Sequence, residues 1–143
     1  MTQIPSNIVY TARASTKGGR DGRAGSEDGV LDLTLTAPKE TGGEGSGTNP
    51  EQLFAVGYAA CFQGALALVA KKQGIDTSDS VVESAVGFGP EGRSFAITVD
   101  LVATIPDVDA GTAQQLVESA HEICPYSKAT RGNVPVTVTG RPA

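Results

Sequence analysis

The most distinctive hydrophobic pattern in the chain predicts one long, nearly uncharged helix over residues 49–74. Asn49 suits the N-cap, Pro50 the first helical position, and Glu51 the positive end of the helix dipole. Residues 53–70 carry no formal charge, so the helix is apolar on nearly all sides and should be buried on most of them. A single small domain has few elements to cover such a helix, and the pattern favours a second subunit packed against it. The helical period selects these apolar positions: Leu53, Phe54, Gly57, Ala60, Cys61, Gly64, Ala65 and Leu68.

Two segments near the start of the chain predict strands. Residues 7–13 are rich in β-formers, and residues 30–36 alternate between leucine and polar side chains, as in a half-buried strand. Residues 17–29 between them are rich in glycine and charge and predict an exposed loop. The three segments together predict a hairpin.

The second half of the chain predicts strands over residues 81–88 and 95–105 and a helix over residues 111–124. Pro125 should end or kink that helix, and residues 134–139 predict a last strand. The order ββαββαβ indicates an α+β fold with antiparallel sheet. At 143 residues we expect one domain, spanning residues 1–143.

Composition and charge exclude several classes of function. The formal net charge of -5 argues against nucleic acid as a partner, because phosphate binding needs a basic surface. No uninterrupted apolar run approaches the ~18 residues needed to span a bilayer, so we expect no membrane partner. Residues 1–10 lack a basic start followed by an apolar stretch, which disfavours a secretory signal. We therefore expect a cytoplasmic protein, in a compartment where thiols stay reduced.

The two cysteines, Cys61 and Cys124, are the first candidates for chemistry. A cysteine within a buried helix is often an inert packing residue, and this interpretation of Cys61 stays open. A metal site is disfavoured because His121 is the only histidine in the chain and the cysteines lie far apart in sequence. We also expect no cofactor. A pair that cycles between dithiol and disulfide is the remaining alternative.

A reactive Cys61 would need a positive charge nearby, because a thiol of ordinary pKa ~8.5 is mostly protonated at neutral pH. Arg20 and Arg23 in the Gly-rich segment are candidates, although both fit an exposed turn. Glu51 suits a helix start but could also orient an arginine. Because Glu51 and Cys61 lie about 15 Å apart along one helix, a site containing both should combine two subunits.

Four segments occur in an order and spacing that resemble a known family. They are residues 18–23 (GGRDGR), 49–54 (NPEQLF), 57–62 (GYAACF) and 124–127 (CPYS), the last followed by residues 129–133 (ATRGN). Each segment alone is weak evidence. Together they resemble the organic hydroperoxide resistance (Ohr) branch of the Ohr/OsmC family over nearly the whole chain.

The resemblance implies a cytoplasmic cysteine peroxidase with an OsmC-like α+β fold, assembled as an intertwined homodimer. It implies that Cys61 attacks the peroxide, that Arg20 activates it, that Glu51 orients Arg20, and that Cys124 resolves the product as a disulfide. Organic hydroperoxides as substrates and a lipoyl (dihydrolipoamide) dithiol as reductant also come from the resemblance.

Other functions stay open at this point. An OsmC-type peroxidase would share the chemistry with a broader peroxide preference. A non-enzymatic thiol redox sensor would use the same disulfide as a signal, and an apolar-ligand binding module would leave both cysteines inert. His121 and Tyr126 are better explained by structural roles than by catalysis.

Overall fold

The computed structural model describes residues 2–143, so residue 1 of the predicted domain lies outside the described residues. The chain divides into two compact units, one ending at Pro50 and the other comprising Glu51–Ala143. That the two units act as one domain stays a prediction.

The first unit contains a three-stranded antiparallel sheet of β1 (Ala14–Lys17), β2 (Gly22–Ser26) and β3 (Asp32–Leu35), in that order. Two expectations are wrong here. Residues 7–13 are not a strand, and the predicted loop over residues 17–29 contains β2. The strand forms because β1 and β3 supply backbone partners on both of its edges, although its sequence has little strand propensity.

The predicted long helix, α1 (Pro50–Lys72), starts at the expected proline and belongs to the second unit from Glu51 onward. Its buried face differs from the predicted one. The buried residues of α1 are Tyr58, Phe62, Ala65, Leu66 and Ala70. Because apolar residues surround this helix, the sequence period gave little information about which side meets the core.

The opposite side of α1 leaves apolar side chains uncovered within this chain. Val56 is 70% exposed and Leu68 61% exposed. By length and composition α1 is apolar enough to cross a membrane, although the sequence analysis had found no such run. The core helix of a soluble protein meets the same criteria, so this finding is weak evidence for a span.

A second sheet and two further helices complete this unit. Strands β4 (Val81–Glu91) and β5 (Ser94–Ile105) form the predicted hairpin, and β6 (Val136–Pro142) pairs with β5 in parallel, not antiparallel. A parallel pair needs a long crossover, which here contains α2 (Ala110–Ile123) and α3 (Pro125–Thr130). The predicted α+β class is confirmed.

The core of the second unit lies between the sheet and the helices. Alternate residues of β5 are buried, and they pack with the buried faces of α1 and α2. Gly140 on β6 permits a close approach to α2, since a Cβ atom there would lie 2.1 Å from the Ala113 carbonyl oxygen. The Gly140 N–H also donates to Gln114 Oε1 at 2.9 Å. These contacts fix α2, and therefore its C-terminal end, against the sheet.

We predict that Gly140→Ala lowers the free energy of unfolding by about 1–3 kcal/mol, because the new methyl group must push α2 away from β6. Urea unfolding followed by circular dichroism measures the change. Gly89→Ala is the matched control, because a Cβ there meets nothing within 4 Å. It should change stability by less than about 1 kcal/mol. Equal stability of the two variants would contradict the proposed close approach.

Candidate active site

The two cysteines lie together in the second unit. Cys61 is in the middle of α1, and its sulfur is 3.6 Å from the sulfur of Cys124. Both are free thiols; Cys61 is partly exposed and Cys124 is completely buried. A disulfide needs a sulfur separation of about 2.05 Å, so a small movement would join them. The pair can therefore pass between dithiol and disulfide without a large rearrangement.

Cys124 stands at the junction of two helices. It is the C-cap of α2 and the N-cap of α3, with extended backbone angles of φ -61° and ψ 124°. Pro125 follows as the first residue of α3, where its fixed φ is compatible with a helix start. Pro125 thus ends α2, as predicted, and also begins a helix that the sequence analysis missed.

The surroundings of Cys61 within this unit favour the protonated thiol. Burial raises the pKa of Cys61, and the adjacent Cys124 raises it further. A hydrogen bond from the backbone N–H of Tyr126 to the Cys61 sulfur lowers the pKa but does not outweigh the burial. A raised pKa leaves less thiolate at neutral pH, so attack by Cys61 would need an additional positive charge.

Three aromatic rings lie on the same side of α1 as Cys61. Phe54 and Tyr58 precede Cys61 by about two turns and one turn of the helix. Their ring centroids are 5.9 Å apart, and Tyr126 lies 6.1 Å from Phe54 and 5.7 Å from Tyr58. Tyr126 is 40% exposed, so part of its ring is accessible. Tyr58 is completely buried, so only Phe54 and Tyr126 leave ring surface accessible on this side of α1.

The hydroxyl group of Tyr58 belongs to a buried polar network with Ser127, Thr130 and His121. The Tyr58 hydroxyl is 2.9 Å from Ser127 Oγ and 3.1 Å from Thr130 Oγ1. His121 Nδ1 is 2.7 Å from the same Ser127 oxygen. Partial burial, and then the charge of Arg131, lower the pKa of His121, so its ring is largely neutral at neutral pH. The network connects α1 with the end of α2 and with α3.

Arg20 lies in the first unit, in the turn between β1 and β2. The Asp21 N–H donates to the Gly18 carbonyl oxygen at 3.1 Å, and Gly18 has a φ of 84°. A Cβ on Gly22 would lie 1.8 Å from the Lys17 carbonyl oxygen. The glycines on both sides therefore permit the tight turn that presents Arg20.

The structure distinguishes the two candidate arginines. Arg23 lies on β2, where it pairs with Asp32 at 2.5 Å and donates to Thr34 at 3.2 Å across the neighbouring strand. The Arg23 guanidinium thus links β2 to β3 within the sheet of the first unit. Arg20 lies outside the strands, in the turn between β1 and β2.

The predicted site residues therefore fall into two groups. Glu51, in the first turn of α1, shares the second unit with Cys61 and Cys124. The structure brings the two cysteines together, while the pairing of Arg20 with Glu51 and Cys61 stays a prediction. Among residues 2–143 there is no cluster of His, Cys, Asp and Glu side chains that could hold a metal ion.

Sequence reasoning missed the backbone N–H of Tyr126 and the hydroxyl groups that support it. Every residue except proline has a backbone N–H, so no sequence motif shows which of them will donate to the Cys61 sulfur. One signal was available: Tyr58 and Cys61 are three residues apart, so they share a face of α1.

Comparison with known proteins agrees with this architecture. The family model for OsmC-like proteins matches residues 43–139. The chain belongs to the OsmC-like family. Within it, the organic hydroperoxide resistance protein of Xanthomonas axonopodis pv. citri is 50% identical over 137 residues, covering 94% of this chain and 96% of that protein. The organic hydroperoxide resistance protein OhrB of Bacillus subtilis is 51% identical over 130 residues, with 90% and 95% covered.

A solved structure of the OsmC-like family supports the same assignment. The crystal structure of Bacillus subtilis OhrB superposes with a TM-score of 0.83 at 47% identity and covers 95% of this chain and all of that one. The resemblance to the Ohr branch predicted from four sequence segments is therefore confirmed, as is the OsmC-like fold.

Proposed function

We propose that this chain is a thiol-dependent peroxidase that reduces organic hydroperoxides to alcohols. The observation that carries the proposal is the 3.6 Å separation of the Cys61 and Cys124 sulfurs. Close relatives named organic hydroperoxide resistance proteins support the choice of substrate. Cys61 is the attacking residue because it is the more exposed of the two thiols.

In the first step the Cys61 thiolate attacks the terminal oxygen of the hydroperoxide. The O–O bond breaks, Cys61 becomes a sulfenic acid, and the departing alkoxide takes up a proton to give the alcohol. Sulfur is oxidised by two electrons and the peroxide is reduced by two. The N–H of Tyr126 stabilises the thiolate before attack, since it already donates to this sulfur.

In the second step the Cys124 thiol condenses with the sulfenic acid, forming the Cys61–Cys124 disulfide and releasing water. A dithiol then reduces the disulfide by exchange and is itself oxidised. Dihydrolipoamide is the reductant expected from the family resemblance, and the reducing cytoplasm is the expected location.

The aromatic lining beside Cys61 supports an organic rather than a small polar peroxide. Phe54 and Tyr126 offer ring surface on the approach to the sulfur, and burial of an alkyl chain gains roughly 25 cal/mol per Å² of apolar area. Hydrogen peroxide gains nothing from such contacts. An OsmC-type enzyme of broader preference would show similar rates with both peroxides.

Arg20 supplies the positive charge in the proposed mechanism, and Glu51 orients it. Support comes from the raised pKa of Cys61 in its own unit, which an arginine would oppose. The choice of Arg20 over Arg23 rests on the family resemblance, in which the activating arginine matches Arg20. Arg20 would also stabilise the alkoxide as it forms.

The active unit is proposed to be a homodimer. The exposed apolar face of α1, which includes Val56 and Leu68, is suited to cover by a second copy. Cys61 and Glu51 stand about 15 Å apart on one helix, so an arginine could meet both only if they came from different copies.

We predict that Cys61→Ser abolishes turnover of cumene hydroperoxide, because serine cannot form the sulfenic acid. Cys124→Ser should still consume about one equivalent of peroxide but recycle poorly, since no internal thiol resolves the sulfenic acid. The measurement is peroxide consumption with dihydrolipoamide in excess.

Several outcomes would contradict the proposal. Full turnover by Cys61→Ser would exclude Cys61 as the attacking residue. Stoichiometric consumption by the wild type, with a good reductant present, would instead support a redox sensor. Failure of both thiols to react with peroxide or alkylating agent in the folded protein would favour a binding module.

We predict that Arg20→Ala raises the pKa of Cys61 and slows peroxide reduction about a hundredfold, since thiolate and alkoxide both lose their positive neighbour. The pH dependence of Cys61 alkylation should move to higher pH, because thiolate then forms only at higher pH. Arg23→Ala is the matched control and should keep the wild-type profile. Identical profiles for the two variants would exclude Arg20 as the activating charge.

Co-expression of two inactive variants tests whether the site is shared. In a mixed dimer of Glu51→Gln and Cys61→Ser chains, one site regains Cys61 from the first chain and Glu51 from the second. We predict activity of about one site per mixed dimer, well above that of either variant alone. If both residues came from one chain, no site would be complete and the mixture would stay inactive.

A further inference from the structure

The buried network of Tyr58, Ser127, Thr130 and His121 takes no part in the proposed mechanism. We propose that Tyr58, Ser127 and His121 are positioning residues, joined in a one-way chain of hydrogen bonds that holds α3 against α1. Their role in turnover rests on the proposed function, whereas their effect on the placement of the two sulfurs does not.

Counting hydroxyl hydrogens gives this chain its direction. Thr130 Oγ1 lies 3.1 Å from the Ser127 carbonyl oxygen, which can only accept, so the Thr130 hydrogen is donated there. The Tyr58 hydroxyl must therefore donate to Thr130 Oγ1. With its hydrogen used, Tyr58 accepts from the Ser127 hydroxyl at 2.9 Å. Every hydroxyl in the series then donates once.

The direction of the chain determines the state of His121. Because the Ser127 hydrogen is given to Tyr58, Ser127 Oγ can only accept from His121 Nδ1 at 2.7 Å. Neutral His121 must therefore carry its proton on Nδ1. Protonation of the other ring nitrogen would leave this donor in place, so the chain does not depend on the charge of the ring.

The network controls the thiols through the position of α3. Ser127 lies in the first turn of this helix, three residues after the N-cap Cys124 and next to Tyr126, whose N–H contacts the Cys61 sulfur. Tyr58 lies one turn before Cys61 on α1. A hydrogen bond between Tyr58 and Ser127 therefore ties together the two backbone segments that carry the sulfurs. Tyr58 and Ser127 are both completely buried, so water cannot replace a lost partner.

The first test determines the protonation of His121 in the reduced wild-type protein. Long-range ¹H–¹⁵N correlation spectra distinguish a protonated from an unprotonated ring nitrogen, and the assignment is simple because the chain has one histidine. We expect Nδ1 to be protonated at a pH where the ring is neutral. An unprotonated Nδ1 would overturn the one-way chain.

The second test measures thiol placement without peroxide. Oxidised dithiothreitol first forms a mixed disulfide with Cys61, and closure by Cys124 then releases reduced dithiothreitol. We expect Tyr58→Phe and Ser127→Ala to slow closure about tenfold, the typical effect of losing one buried hydrogen bond. Tyr10→Phe, which removes an exposed hydroxyl, is the matched control and should close at the wild-type rate.

Closure is measured well below the unfolding temperature of each variant, so that general destabilisation does not contribute. Closure rates of both variants within about twofold of the control would overturn the positioning role. Normal closure in the wild type without peroxide turnover would overturn the proposed function instead, while slow closure in the two variants would still support this inference.

Discussion

The hydroxyl group of Tyr58 is a completely buried polar group on a helix whose other buried residues are apolar. Leaving it without a partner would cost about 1–3 kcal/mol, so the fold must bring partners to it. Those partners, Ser127 and Thr130, are 69 and 72 residues further along the chain. Satisfying one hydroxyl therefore fixes α3 against α1. The two groups that contact the Cys61 sulfur both belong to the start of that same helix.

The partial burial of Cys61 has opposing effects on the proposed chemistry. It would shield a sulfenic acid from solvent, but it also raises the pKa of the Cys61 thiol and so reduces the amount of thiolate. One backbone N–H, from Tyr126, opposes this effect from within the second unit. Arginine is well suited to supply the remaining stabilisation, because it stays charged in surroundings of low polarity. The proposed use of Arg20 answers an electrostatic need that burial creates.

The sequence predicted elements well where the hydrophobic pattern and the end signals agreed. Helix α1 and the β4–β5 hairpin are examples, each with distinct terminal residues. Strand β2 was missed because its sequence, GRAGS, lacks β-branched residues and depends on pairing with both neighbours. The buried face of α1 was missed because only tertiary packing selects Tyr58 and Phe62. The closeness of Cys61 and Cys124 came from the family resemblance alone, since no local pattern reports a contact so distant in sequence.

The unequal burial of the two sulfurs also sets the course of any reduction. In a Cys61–Cys124 disulfide, an incoming thiolate must approach in line with the S–S bond and reach one sulfur from outside. Cys124 is completely enclosed, so the reachable sulfur is that of Cys61. The Cys124 thiolate would then be the leaving group. Because it is completely buried, thiols in solution could not attack it. The reductant would thus react with one sulfur only. Cys61 would be the atom that meets the peroxide and also the atom through which the dithiol returns two electrons to the disulfide.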